Sequence, residues 1–132
     1  MKVLSIKEPW ASLIAAKVKY IETRSWQTKY RGELYIHASQ KKLTKHELNS
    51  YEAQISLLKE PCFKYGSIIA KCRLSDCILM DETLIKKVKA NKNEYICGLY
   101  EPERYAWLLE DVEILSEPIV AKGQLGIWTY HE

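Results

Sequence analysis

Long apolar runs are missing from this chain. No stretch free of Asp, Glu, Lys and Arg approaches the ~20 residues that a membrane-crossing helix needs, so no spanning segment and no membrane partner are expected. The N-terminal MKVLSIKEPW lacks the apolar core of a secretory signal, and the cytoplasm is the expected compartment. Cysteine and histidine are sparse. The four cysteines (Cys62, Cys72, Cys77, Cys97) form no C-x-x-C pair and there are three histidines, which argues against a zinc cage; no metal and no cofactor are expected. Reduced, mostly buried thiols follow. Glycine and proline total nine and mark turns, not a linker, and no repeat or low-complexity segment is present, so the 132 residues read as a single domain. Phosphate-cradling, dinucleotide, zinc-protease and serine-hydrolase motifs are all absent.

What is present is a soluble composition, 47% apolar and 28% charged. The net charge of +3 is unevenly spread: residues 1–45 carry +7 and the remainder −4. A basic half on a near-neutral protein suggests a field aimed at an anion, phosphate being the commonest; a solvated lysine surface is the plainer alternative.

Period-2 alternation predicts strands at Lys2–Ile6, Tyr20–Trp26, Leu34–Ala38, Ile68–Met80, Glu94–Leu99, Arg104–Leu115 and Gln124–Tyr130, with Pro118 breaking the pattern. Pro9 opens a short helix to Lys17. Thr44-Lys45-His46-Glu47 fits a capping box, and Leu48, Tyr51, Ile55 and Leu58 then recur on one helical face, read as core. Asp81 caps a helix carrying Leu84, Ile85 and Val88, and residues 91–93 read as a loop. Strands dominate, so the fold class is α+β, mainly β, with a mixed sheet curled into a small barrel.

The densest polar segment is Lys17–Arg31 (KVKYIETRSWQTKYR). On an extended chain Glu22 and Arg24 share a face. A paired arginine is held rigid and can offer its fork to a phosphate or a base edge. Trp26 supplies a stacking plane and Lys19 a compact cation. The plainer reading is an ordinary surface ion pair with Trp26 in the core. Trp10 is the best stacking candidate of the other tryptophans because it opens a helix, beside Ser12. Arg31, His37 and Lys122 complete the candidate set, each also readable as a bystander.

Seven ordered blocks resemble the activating signal cointegrator homology (ASCH) family: LSIKEPW, KVKYIETR, YRGEL, IHAS, GSIIAKCRLSDC, YAWLLE and PIVAKGQLGIW. They cover most of the chain, leaving Gln40–Tyr65 and Met80–Asn93 as insertions. The resemblance implies a PUA-like pseudo-barrel of five to six strands with two or three flanking helices and a cleft, and RNA, another nucleic acid or a nucleoside-like ligand as partner. The family signature G-x-K-x-x-E-x-R lines that cleft; Lys19, Glu22 and Arg24 match its last three fixed positions. Lys17 stands in place of the glycine, which disfavours positive φ at that turn. The signature trio together with the basic half motivates a nucleic-acid-binding set of Trp10, Ser12, Lys19, Glu22, Arg24, Trp26, Arg31, His37 and Lys122. The alternative is a hydrolase acting on RNA or a modified nucleoside, with Lys19 and Glu22 as acid and base. A branch that resembles this family and cleaves an amide on a modified cytidine has a threonine nucleophile where Glu22 stands. Thr23 is one position off and expected to face away.

Overall fold

The computed structural model covers residues 1–132. Six strands form one mixed sheet: β1 (Lys2–Ile6), β2 (Ile21–Arg24), β3 (Gly32–Ala38), β4 (Ser67–Leu79), β5 (Tyr105–Val120) and β6 (Ile127–Thr129). Their order is β2-β5-β4-β3-β1-β6; β1 runs parallel to β3 and every other pairing is antiparallel. β4 and β5, at 13 and 16 residues, are long for a globular sheet, and their register shifts at three points. Such bulges sharpen twist and bend strands, and the sheet curls into a half-barrel. Its hollow is filled by Leu4, Leu34, Ile36, Leu74, Trp107 and Leu109, against Ala11, Ile14 and Ala15 of helix α1 (Trp10–Ala15).

The predicted strands at the start of the chain, at Leu34–Ala38 and at Ile68–Met80 are all present. Five helices occur where two or three were expected: after α1 come α2 (Lys45–Ser50), α3 (Glu52–Ile55), α4 (Glu82–Lys89) and α5 (Lys92–Ile96). α5 occupies the segment read as a loop followed by a strand. The deciding signal is Asn91, whose side chain accepts the Glu94 N–H and starts a helix. The capping box of Thr44 and Glu47 forms as expected. No residue of α2 or α3 is buried, however, so the stripe Leu48/Tyr51/Ile55/Leu58 is not core; helical periodicity shows that residues share a face, not what covers it. Pro118 lies inside β5. Ile68 pairs with Ile119 and Ala70 with Ile114, so residues 115–118 bulge out opposite Ile69 and the missing proline N–H breaks no ladder bond. The last strand shortens to Ile127–Thr129.

The turn after α1 sets the position of everything that follows. The N–H of Lys17 bonds to Ile14 O and that of Val18 to Leu13 O, the pattern of a Schellman motif with Lys17 at the left-handed position. Lys17 takes φ 62° without being glycine, so the substitution in the signature preserves the turn. It does so with backbone strain. Lys17→Gly, at an exposed site, is expected to raise stability by about 0.5–1 kcal/mol in urea denaturation, the relief of strain being partly offset by a freer unfolded chain. An unchanged or lower midpoint shows that the strain at this turn does not exceed the entropy that glycine adds to the unfolded chain.

No helix is long and apolar enough to cross a membrane. Cys72 and Cys97 are buried, Cys77 is half-buried and Cys62 is exposed; all four are unpaired.

Candidate functional site

Curling brings β2, at one end of the sheet, toward β1, the fifth strand in order. Arg24 of β2 spans the gap, its Nη2 donating to Ser5 O of β1 at 3.1 Å. A cleft of about 970 Å³ opens at this seam. Its floor holds Glu22, Arg24, Ser5 and His37, and its walls include Trp10, Tyr51 and Gln54.

Alternation on β2 puts Glu22 and Arg24 on one face, and they do pair. Glu22 Oε2 accepts from Arg24 Nε at 3.0 Å and lies 2.9 Å from Nη2. Arg24 Nη1 has no protein partner, and the side chain remains 25% exposed on the cleft surface. Three of the five guanidinium N–H groups are thus used or oriented by the fold, and one edge is left without a protein partner.

Lys19 joins this group from below. Its Nζ donates to Ile21 O at 2.5 Å and lies 4.0 Å from Glu22 Oε1, with the side chain only 1% exposed. The ammonium, carboxylate and guanidinium of the signature therefore converge. Lys19 is a buried support under the cleft, however, and not the accessible cation expected from the sequence. An acid–base role for Lys19 and Glu22 needs Lys19 at the reacting atoms, and it is sealed from the cleft.

His37 is fully buried, because the Gly123 loop and Trp128 cover its face of β3. Its Nε2 lies 2.7 Å from Ala121 O and its Nδ1 2.9 Å from Ser5 Oγ, which also accepts the Trp128 Nε1–H at 3.0 Å. The carbonyl must be offered a proton, so Nε2 carries it and the Ser5 hydroxyl donates to Nδ1. Burial lowers the histidine pKa against the smaller opposing pull of its backbone bonds, holding the ring neutral.

Trp10 is half-buried and meets Tyr51 edge-to-face, ring centroids 5.1 Å apart, making one aromatic wall. The Lys7–Glu47 ion pair ties α2 to β1 beside it, and this hydrogen bond pulls the Glu47 pKa down to about 2. Ser12 faces away from the cleft chemistry. Its N–H and hydroxyl both donate to the buried Glu8 carboxylate, at 2.8 and 2.6 Å, and burial raises the Glu8 pKa in spite of them. Trp26 packs edge-on against Trp107 at 4.8 Å, outside the cleft lining. Arg31 lies farther off still, bonded to Thr28 O, Tyr30 O and Asp76. Lys122 is exposed and immediately precedes Gly123 at the rim. Thr23 reaches the cleft edge after all, with its Oγ1 accepting the Leu99 N–H at 3.2 Å.

Sequence reasoning missed Tyr51, Gln54, Ile96, Leu99 and Leu125 as cleft residues. No motif marks them, since they come from α3, the end of α5 and a loop, and meet only in the fold. No group of three or more His, Cys, Asp or Glu side chains is placed to hold a metal ion.

With this geometry in place, comparison with known proteins adds the following. A family model described as the ASCH domain matches residues 4–119. Human and mouse activating signal cointegrator 1 are 35% and 33% identical to the chain over 81 residues, covering 57% of it and 14% of each of those proteins. The chain therefore spans a small part of the length of these relatives. The crystal structure of ASCH from Zymomonas mobilis aligns with a TM-score of 0.54 at 18% identity, over 90% of this chain and 72% of that one. A mutant of that protein aligns at 0.55 and 16%, over 90% and 74%. At such identities the likeness is one of backbone fold.

Proposed function

The chain belongs to the ASCH-domain family, and from that premise we propose that it binds nucleic acid, RNA in the first place, through the cleft at the β1–β2 seam. The observation that supports this reading most strongly is Arg24. Two of its nitrogens are fixed by Glu22 and Ser5 O, and the third has no protein partner, in a side chain that lines the cleft. A guanidinium oriented in this way meets a phosphate or a base edge with little further loss of freedom. The Trp10–Tyr51 wall gives a base a surface to pack on. The positive half of the chain supplies the field that brings the polyanion in: Lys41, Lys42 and Lys45 are exposed just beyond Gln40 of the cleft, and Lys122 is exposed beside Gly123 of its lining.

The test is fluorescence anisotropy with a labelled single-stranded RNA of about twenty nucleotides. With three to five phosphates neutralised, affinity is expected to fall roughly 20- to 100-fold between about 50 and 200 mM salt. Absence of binding at the lower salt, or affinity indifferent to salt, overturns the reading. Tighter binding to DNA of the same sequence keeps the cleft and changes the partner.

A further inference from the structure

The lips of the cleft differ in character from its floor. Leu125 is 98% exposed, and Leu99 is 49% exposed; both line the cleft. They sit at opposite ends of the curled sheet. The Leu99 N–H is bonded to Thr23 of β2, and Leu125 lies in the loop entering β6. Each follows closely on a glycine that is packed too tightly for a side chain. A Cβ on Gly98 would fall 2.8 Å from the Tyr100 ring, and one on Gly123 would fall 2.9 Å from Ser5 Oγ and 3.0 Å from His37. The backbone of the Leu125 lip is therefore held against the floor, and that of the Leu99 lip against Tyr100 and Thr23, while the leucines project. A leucine this exposed gains nothing for the fold.

Resting on the nucleic-acid reading above, we propose that the cleft takes a single unstacked base from a single strand, with Leu125 entering the stack in its place and Leu99 covering it from the other side. Three features of the structure converge on this occupant. The space, about 970 Å³, is more than a phosphate fills. The floor offers a guanidinium edge and the wall two aromatic rings, the partners of a base and not of a phosphate alone. The lips are apolar where a backbone-tracking groove would be basic, and apolar side chains are what proteins insert between base steps. Positive charge stands outside them, at Lys122 and at Lys41 and Lys42, where the flanking phosphates run.

The experiment uses single strands of about twenty nucleotides with 2-aminopurine, whose emission is quenched by stacking, at spaced positions. Saturation with the unaltered protein is expected to raise emission about threefold or more where the probe flanks the extruded base and loses its stacking neighbour to Leu125, whereas a probe held in the cleft stays quenched against Trp10 and Tyr51. Leu125→Lys adds a positive charge at a site where no side-chain packing is lost. At protein concentrations that saturate the strand by anisotropy it is expected to lose most of the rise, while Leu125→Met retains it. Failure of the unaltered protein to bind removes both this proposal and the reading beneath it. Binding with flat emission, or a full rise with Leu125→Lys, overturns the clamp alone.

Discussion

Replacing Glu22 by alanine is expected to cost the fold about 3–5 kcal/mol, the scale for removing one partner of a buried ion pair. The Lys19 side chain is almost wholly enclosed, and the Glu22 carboxylate 4.0 Å away is the counter-charge the structure gives it. Without that carboxylate the ammonium keeps one carbonyl contact, to Ile21, and Arg24 loses two of its fixed bonds. Urea denaturation measures the loss. Adding Lys19→Met to Glu22→Ala is expected to recover a substantial part of it, since a buried charge without a partner is worse than an apolar side chain of similar length. A loss under about 1 kcal/mol would falsify the buried pair and return it to the class of surface contacts.

The second large effect concerns the ligand. Arg24→Lys is expected to weaken binding of single-stranded RNA by about tenfold or more, because one ammonium cannot hold Glu22, reach Ser5 O and still present a planar edge outward. The matched control is Arg31→Lys. Arg31 is committed to Asp76 and three carbonyls away from the cleft, so the same exchange there is expected to change affinity less than about twofold. Equal losses at the two positions place binding on the general charge of the surface and not at the seam. Both measurements belong at one fixed salt concentration, since the polyelectrolyte contribution varies with it.

The contrast between Arg24 and Arg31 shows what was legible in the sequence. Alternation along β2 put Glu22 and Arg24 together correctly, because their contact spans two residues on one strand. The caps at Thr44 and Asp81 were equally local and equally readable. Burial was not. Lys19 sits under the cleft and His37 beneath the Gly123 loop because segments distant in sequence fold over them, and no pattern within their own strands records that. Residues 94–99 were misread because Tyr95, Cys97 and Leu99 alternate like a strand. A capped single turn of helix won through the Asn91–Glu94 bond and the anchoring of the buried Glu94 carboxylate by the Tyr20 N–H and the Tyr100 hydroxyl. The family resemblance supplied the half-barrel that composition could only sketch, and the model match across residues 4–119 bears it out.

Residues 44–55 and 92–99 approach each other above the seam, joined through the Gln54 Nε2–H and Ile96 O at 2.9 Å, while β1, β2 and β3 hold the charged residues below. On the function proposed above, anchorage and admission fall to different parts of the chain. A protein built on this plan can exchange its upper segments for others of different length and chemistry, and so change which guest is let through, without disturbing the framework that grips it.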